Sequence, residues 1–233
     1  YISMRQGTFF IQPHSDDMIM SSYFLMKAET LHRPYYLLTV FTKSNWMDPH
    51  KRKKFHSVKN QVAITSLRKN EDRRFAKLLH LIPLFLKFED CLLRNGEVFY
   101  QPNKKLETDL VEQVAASIHS LIKKYKPRNI MVPFPSGVKQ HYDHRIAFEA
   151  TRLVSSALCN IYFVDDMPYG RITDTNKHNL KLFAKSKISS VREKFRVMKI
   201  YESQMCNLFF NQVRKITKQN QGYERIFTLR NNK

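Results

Sequence analysis

Two short runs of the sequence hold the side chains best suited to chemistry. In "FFIQPHSDDMIMSS", residues 9–22, an apolar run passes into His14, Ser15, Asp16 and Asp17, and then apolar spacing resumes. Further along, "PFPSGVKQHYDHRIAFEA" carries His141, Tyr142, Asp143 and His144. Adjacent carboxylates repel, and drawing both into a partly dry cleft is unfavourable unless a cation or hydrogen-bond donors compensate. A helix N-terminus supplies only ~0.3–1 kcal/mol of that compensation. Taken singly, the first run reads equally well as an aspartate helix cap behind an incidental histidine. Two histidines three residues apart share a helix face, and an aspartate between them can hold an imidazole in one tautomer. By itself that run could be a histidine-rich helix start on the surface. Together, each just beyond a core strand, the two runs point to a metal. Neutral imidazole and carboxylate suit zinc, and three protein ligands with an open fourth position make a site catalytic rather than structural.

The elements that must position these runs follow from apolar periodicity. "TFFIQ" (8–12), "PYYLLTVFT" (34–42), "LFLKF" (84–88), "NIMVPF" (129–134) and "NIYFVD" (160–165) read as strands. "NGEVFY" (95–100) reads as a turn and short strand, and residues 225–229 as a last strand. Helical spacing covers 17–31, 58–81 (ended by Pro83), 105–125, 143–158 and a long stretch near 185–214. Strand–helix alternation predicts an α/β fold: one Rossmann-like, mostly parallel sheet with helices on both faces, in a single domain spanning 1–233. Ligands of such sheets gather at the carboxyl ends of strands, near the point where strand order reverses. Neither a G-x-G-x-x-G loop nor a Walker lysine follows the first strand, so the usual phosphate cradles are missing.

Composition narrows the class. At 233 residues, 42% hydrophobic and with only 5 glycines, the chain suits a globular core rather than a fibrous or low-complexity one. No apolar stretch approaches the ~20 residues that span a bilayer. No secretory leader is legible. Cys91, Cys159 and Cys206 are odd in number and unpaired by spacing, which suggests free thiols in a reducing compartment, and the cytoplasm is the expected location. The net charge of +20, from 40 Lys+Arg against 20 Asp+Glu, is densest in "HKRKKFHSVK" (50–59). Such an excess suits nucleic acid, an anionic membrane surface or a phosphate-bearing substrate, although spread lysines are more often a solvated face.

"QPHSDD" followed by "HYDHR" resembles the LmbE-like zinc deacetylases, the family of PIG-L, which deacetylate N-acetylglucosamine-containing substrates. Its hallmark is a (P/A)-H-x-D-D run after the first strand paired with a later H-x-D-H. "RKNEDRRFAKLL" resembles the family's R-x-x-E helix, "YFVDDMPY" its strand and Pro-Tyr turn, and "KIYESQ" its late K-x-x-x-Y-x-S-Q segment. The resemblance implies one zinc per chain, held by His14, Asp17 and His144. It implies Asp16 as the general base toward a zinc-bound water, whose pKa the metal lowers toward ~7. His141 would stabilise the oxyanion or protonate the leaving amine, tuned by Asp143. Arg68 and Asp90 fall where the family's substrate-contacting arginine and post-strand carboxylate stand, though a solvated helix arginine and a loop aspartate are equally good readings. Met18, Ser15 and Tyr142 depart from the family pattern without removing a ligand or the base. Lys139 lies in a normally glycine-rich stretch, where it could contact an anionic substrate.

The expected activity is removal of an N-acetyl group from an amino sugar or glycoconjugate, and the basic charge would suit one bearing phosphate. Two other classes stay open. A nucleic-acid- or anionic-glycan-binding protein would use the charge, but no helix-turn-helix, finger or RNP-type motif is present, so no specific nucleic acid is expected. A catalytically inactive family member acting as a binding module would not need to keep both aspartates and both histidines.

Overall fold

The structure, a computed structural model, describes residues 6–57, 60–96, 104–136, 140–154 and 158–230. Seven strands form one sheet in the order β3-β2-β1-β4-β5-β7-β6. They are β1 Thr8–Gln12, β2 Tyr35–Thr39, β3 Leu81–Phe85, β4 Asn129–Phe134, β5 Asn160–Asp165, β6 Leu180–Lys187 and β7 Tyr223–Leu229. The first five are parallel, and β7 then pairs antiparallel with both β5 and β6. The helices are α1 Asp17–Lys27, α2 Gln61–Leu79, α3 Cys91–Asn95, α4 Thr108–Tyr125, α5 Tyr142–Leu153, α6 Val191–Met198 and α7 Asn207–Gln219.

Pleating sends successive strand residues to opposite faces. Phe9 and Ile11 of β1 pack with Val114 and Ile118 of α4 and Ile146 of α5. Phe10, between them, joins Ile19 of α1, Phe75 of α2, Val197 of α6 and Val213 of α7. The strands are therefore apolar on both sides, as a sheet covered by two helical layers requires.

Chain order reverses between β1 and β4: β1 leads outward to β2 and β3, whereas β4 leads the other way to β5. The switch point falls between the carboxyl ends of β1 and β4, where the two polar runs begin. β5 ends beside them. Its following turn presses so close that a Cβ on Gly170 would lie 2.1 Å from the Ser136 carbonyl oxygen beyond β4.

Three expectations need correction. Pro83 does not end the second helix. That helix stops at Leu79 with His80 in the left-handed region (φ 53°), and β3 begins at Leu81 with Pro83 inside it. An edge strand tolerates proline because one side of its ladder is unused. The long helix near 185–214 is instead the end of β6, then α6, then the start of α7. Ser190 caps α6 by accepting from Glu193 N, and residues 199–206 leave helical geometry to bond with α2. α1 is also shorter than 17–31 and is broken at Ser22 (φ −145°), where the Ser22 hydroxyl donates to the Met18 carbonyl. The strand expected at 95–100 falls largely outside the described residues.

Candidate active site

The carboxylate of Asp72 on α2 organises the approach to the site. Fully buried, it accepts from Gln12 Nε2 (2.9 Å), Ser15 Oγ (2.8 Å), Thr39 Oγ1 (2.8 Å) and Tyr201 OH (3.0 Å). One side chain thus ties the ends of β1 and β2 to the chain beyond α6. Its neighbour Glu71 accepts from Ser203 N (2.8 Å), Ser203 Oγ (2.7 Å) and Gln204 Nε2 (3.3 Å). The turn after β1 is anchored to α2 through Gln12 and Ser15, both on Asp72.

Within that turn Asp16 takes φ 101°, a left-handed conformation unfavourable for any residue but glycine, and makes no side-chain capping bond to α1. Asp17 Oδ2 accepts from His14 N at 2.7 Å. The same oxygen lies 3.7 Å from His14 Nδ1 and 3.3 Å from His144 Nε2, and those two nitrogens are 3.2 Å apart. Ligand atoms ~2.0–2.1 Å from a tetrahedral ion stand about 3.3 Å from one another, so this triangle is the right size for zinc. The outer nitrogens fit as well. His14 Nε2 is 2.9 Å from Asp143 Oδ2, and His144 Nδ1 is 2.7 Å from Asp166 Oδ1, both carboxylates buried. A ligating imidazole characteristically gives its other N–H to a carboxylate, leaving the inner lone pair for the metal.

Donor atoms of His14, His141 and His144 also lie within 4.8 Å of one another, as do those of Cys91, His141 and Asp143. Both alternatives fit less well. His141 Nδ1 accepts from Asp143 N (3.2 Å) as the cap of α5, which leaves the ring proton on Nε2. The Asp143 carboxylate is saturated by His14, by Cys91 N (2.9 Å) and by Arg94 Nη2 (2.8 Å). Its side chain serves His14 rather than the His141 ring, which it meets through its backbone N–H.

The charges call for a cation. Burial disfavours protonation of His144, but Asp166 and Asp17 outweigh it and raise the pKa to about 9. Burial and the adjacent Asp17 push Asp16 well above the usual carboxylate range, with Arg68 opposing. Burial, with His14 and His144 alongside, lowers His141 well below an ordinary imidazole. Burial works against the charge on Asp143, yet His14, His141 and Arg94 hold its pKa below the ordinary value.

The open side of the triangle is a cleft lined by His14, Asp16, Arg68, Asp90, His141 and Tyr169. Arg68 is buried, donates to Ser44 Oγ at 2.5 Å and stands 3.9 Å from Asp90 Oδ2. Asp90 is buried too, and caps α3 by accepting from Leu93 N. Lys139 lies outside the described residues. Sequence reasoning gave no role to Asp166, Arg94, Asp72 or Tyr169. Asp166 had a signal, a second carboxylate directly after β5 in the quoted "VDD". Arg94 sits on a five-residue helix with no periodicity to mark it.

The fold is a doubly wound α/β sheet with a buried His/Asp cluster at its switch point, an arrangement that could hold a metal ion. The pattern of the PIG-L family, described as GlcNAc-PI de-N-acetylase, matches residues 9–155, and the chain belongs to that family. A 2'-N-acetylparomamine deacetylase from Streptomyces fradiae is 28% identical over 216 residues, covering 86% of this chain and 75% of that protein. Among solved structures, a deacetylase–teicoplanin complex from the teicoplanin biosynthesis pathway superposes with TM-score 0.69 at 19% identity, covering 97% of this chain and 100% of the other. A zinc-inhibited form of teicoplanin deacetylase gives 0.68 at 20% identity, covering 95% and 97%. An N,N'-diacetylchitobiose deacetylase from Pyrococcus horikoshii gives 0.66 at 15% identity, covering 95% and 82%. At these identities the structures speak to fold. Among the described residues no helix is long and apolar enough to cross a membrane.

Proposed function

We propose that this protein is a zinc-dependent hydrolase that removes the N-acetyl group from an N-acetylglucosamine-type amino sugar or its conjugate. The observation that carries the reading is the triangle of His14 Nδ1, Asp17 Oδ2 and His144 Nε2, with both imidazoles backed by buried carboxylates. The family match and the deacetylase relative support the reaction class.

Zinc held by His14, Asp17 and His144 supplies a Lewis acid and brings the pKa of water toward ~7. Asp16 takes the proton of the attacking water; its carboxylate is free of capping duty and faces the cleft. His141 presents Nε2–H as a hydrogen-bond donor to the oxygen on which charge develops, and the proton that Asp16 takes from water is the one passed on to the departing amine. Buried Arg68 and Asp90 orient sugar hydroxyls at the cleft wall, and Lys139 is assigned to an acidic group of the substrate. Asp143 and Asp166 hold the two ligating rings.

Metal analysis of the purified protein, joined to a screen of N-acetylated sugars for amine release, tests the reading. Asp17→Ala and His144→Ala should each strip the metal and abolish release. Full metal occupancy in either variant, or no amine from any N-acetyl sugar with metal present, would sink it.

A further inference from the structure

β7 lies beside β5 in antiparallel register, with Phe163 opposite Phe227 and Val164 opposite Ile226. One step further along that register sets Asp165, the last residue of β5, opposite Arg225. Backbone pairing ends at Val164, and from there side chains carry the connection. Arg225 donates from Nε to Asp165 Oδ2 at 3.0 Å and from Nη2 to Asp165 Oδ1 at 2.6 Å. A two-pronged pair of this kind fixes orientation as well as distance, which a lysine in the same place would not do.

Arg225 is bound to both ends of the turn that follows β5. Its Nη2 also donates to the Ile172 carbonyl at 2.9 Å, and Ile172 N donates to Asp165 Oδ1 at 2.8 Å. A third element joins at the same place. Asn220, at the end of α7, donates from Nδ2 to Asp165 Oδ2 at 2.7 Å, and Arg171 Nη1 reaches the Gln219 carbonyl at 2.7 Å. Asp165 is buried, so these bonds form away from bulk water, where they are strongest.

Between the clamped ends, residues 166–171 bring two groups to the site. Asp166 stands behind His144 at 2.7 Å, and Tyr169 lines the cleft with its ring 5.0 Å from that of His144. The second carboxylate oxygen of Asp166, Oδ2, is buried without a hydrogen-bond partner among the described residues. The Asp166 carboxylate is therefore aimed by the backbone of the turn rather than by another side chain. The adjacent aspartates divide the work, as pleating dictates: Asp165 faces β7 and α7, and Asp166 faces His144.

Resting on the zinc reading of that site, we propose that Arg225 is a positioning residue for the metal centre. Acting through Asp165, it clamps the turn that aims Asp166 at His144 and seats Tyr169 on the cleft wall.

The metal alone serves as the probe. Zinc affinity of the metal-free protein would be measured against a chromophoric chelator, with amide hydrogen exchange followed in the same samples. Arg225→Gln should weaken zinc about tenfold, the low end for an outer support, because it acts at one remove. Exchange should quicken in the segment holding Tyr169, Gly170 and Ile172, while the strands stay protected. Arg230 is the control, since it bonds the Leu180 carbonyl and Asn176 Oδ1 away from the site. Arg230→Gln should leave zinc affinity unchanged. Asp165→Asn should weaken zinc at least as much as Arg225→Gln does, and the double variant no more than Asp165→Asn alone, because both remove one contact. Should Arg225→Gln fail to fold, Arg225→Lys keeps the charge without the fork and should show a smaller loss confined to the same turn. Unchanged zinc affinity in the Arg225 variant, an equal loss in Arg230→Gln, exchange quickened throughout the sheet, or additive losses in the double variant would each overturn the proposal. The outcome is separable from that of the activity. Amine release with unchanged zinc affinity in Arg225→Gln removes the clamp alone. A wild-type protein that binds zinc, weakens as expected in Arg225→Gln and releases no amine from any N-acetyl sugar keeps the clamp and removes the deacetylase reading. One that binds no zinc removes both.

Discussion

Asp16 is held at φ 101° in a turn pinned by Ser15 to Asp72, and backbone strain of this kind amounts to ~1–3 kcal/mol that the surroundings must offset. A side chain kept there without capping its helix is placed for something else. Asp16→Asn should retain the metal, since Asp16 is outside the ligand triangle, and lose ~10²–10⁴-fold in turnover, the usual contribution of a general base. Turnover within a few-fold of wild type would make Asp16 a structural residue. Arg94 acts one step further out. Its guanidinium reaches Asp143 at 2.8 Å and lies over the Phe41 ring, while Asp143 holds His14. Loss of such an outer support typically weakens metal affinity ~10–100-fold, which Arg94→Gln should show in competition with a chromophoric chelator. Unchanged affinity would leave Arg94 a packing residue on Phe41. His144 gives a pH signature in the metal-free protein. Its folded pKa of about 9 lies above the ordinary ~6.5, so protonation stabilises the fold fully below pH ~6.5, and that stability is lost as pH rises through about 9. Melting temperature of the metal-free protein should fall across that window, and Asp166→Asn should flatten the fall. A wild-type profile level across the window would show that Asp166 and Asp17 do not hold a proton on His144.

At the scale of elements, the site depends on how the chain after β6 docks on α2. Glu71 on α2 takes both donors of Ser203 and the amide of Gln204, all buried. Removing a charged acceptor of several hydrogen bonds costs roughly 3 kcal/mol, so Glu71→Ala should lower unfolding stability by about that much in denaturant titration. A loss below ~1 kcal/mol would mean that the segment is held by its apolar contacts alone. The parallel strands β1, β2, β4 and β5 and the two His/Asp runs at their ends were legible in the sequence because buried strands leave unbroken apolar stretches, whereas the partly exposed β3 lies at Leu81–Phe85 rather than 84–88. The last third was less so. β6, "LKLFAKSK", is an edge strand exposed along most of its length, so its face carries lysines that read as a helix surface. The break between α6 and α7 comes from Ser203 and Gln204 meeting Glu71, a contact 132 residues away in the chain that no local pattern reports. Arg94 was hidden for the same reason: its meaning lies in Asp143, on another helix.

At the scale of the whole molecule, the charge of +20 is concentrated by pairing. Several acidic side chains on the surface are already matched, in Lys27–Glu193, Arg33–Glu29, Lys54–Glu202 and Arg152–Glu149, and others are buried around the site. Such surface pairs are worth only ~0–1 kcal/mol each, but they silence carboxylates and leave the remaining lysines and arginines to set the outer field. Part of the basic run after β2 reaches the neighbourhood of the chemistry, since His50 and Lys51 line a groove beside the cleft while Arg52 and Lys53 stand exposed next to them. A field of one sign beside a cleft raises encounter rates with an oppositely charged ligand by ~10–10³-fold, and the gain decays as the Debye length shrinks from ~10 Å at 0.1 M salt. kcat/KM for a phosphorylated N-acetyl amino sugar should therefore exceed that of its neutral counterpart at low ionic strength, with the two values converging as salt is raised. A neutral substrate should show little salt dependence throughout, because it has no charge for the field to act on. Equal and flat values for both would mean that the basic residues serve as a solvated surface, and that the acidic group of the substrate, if it has one, is recognised elsewhere.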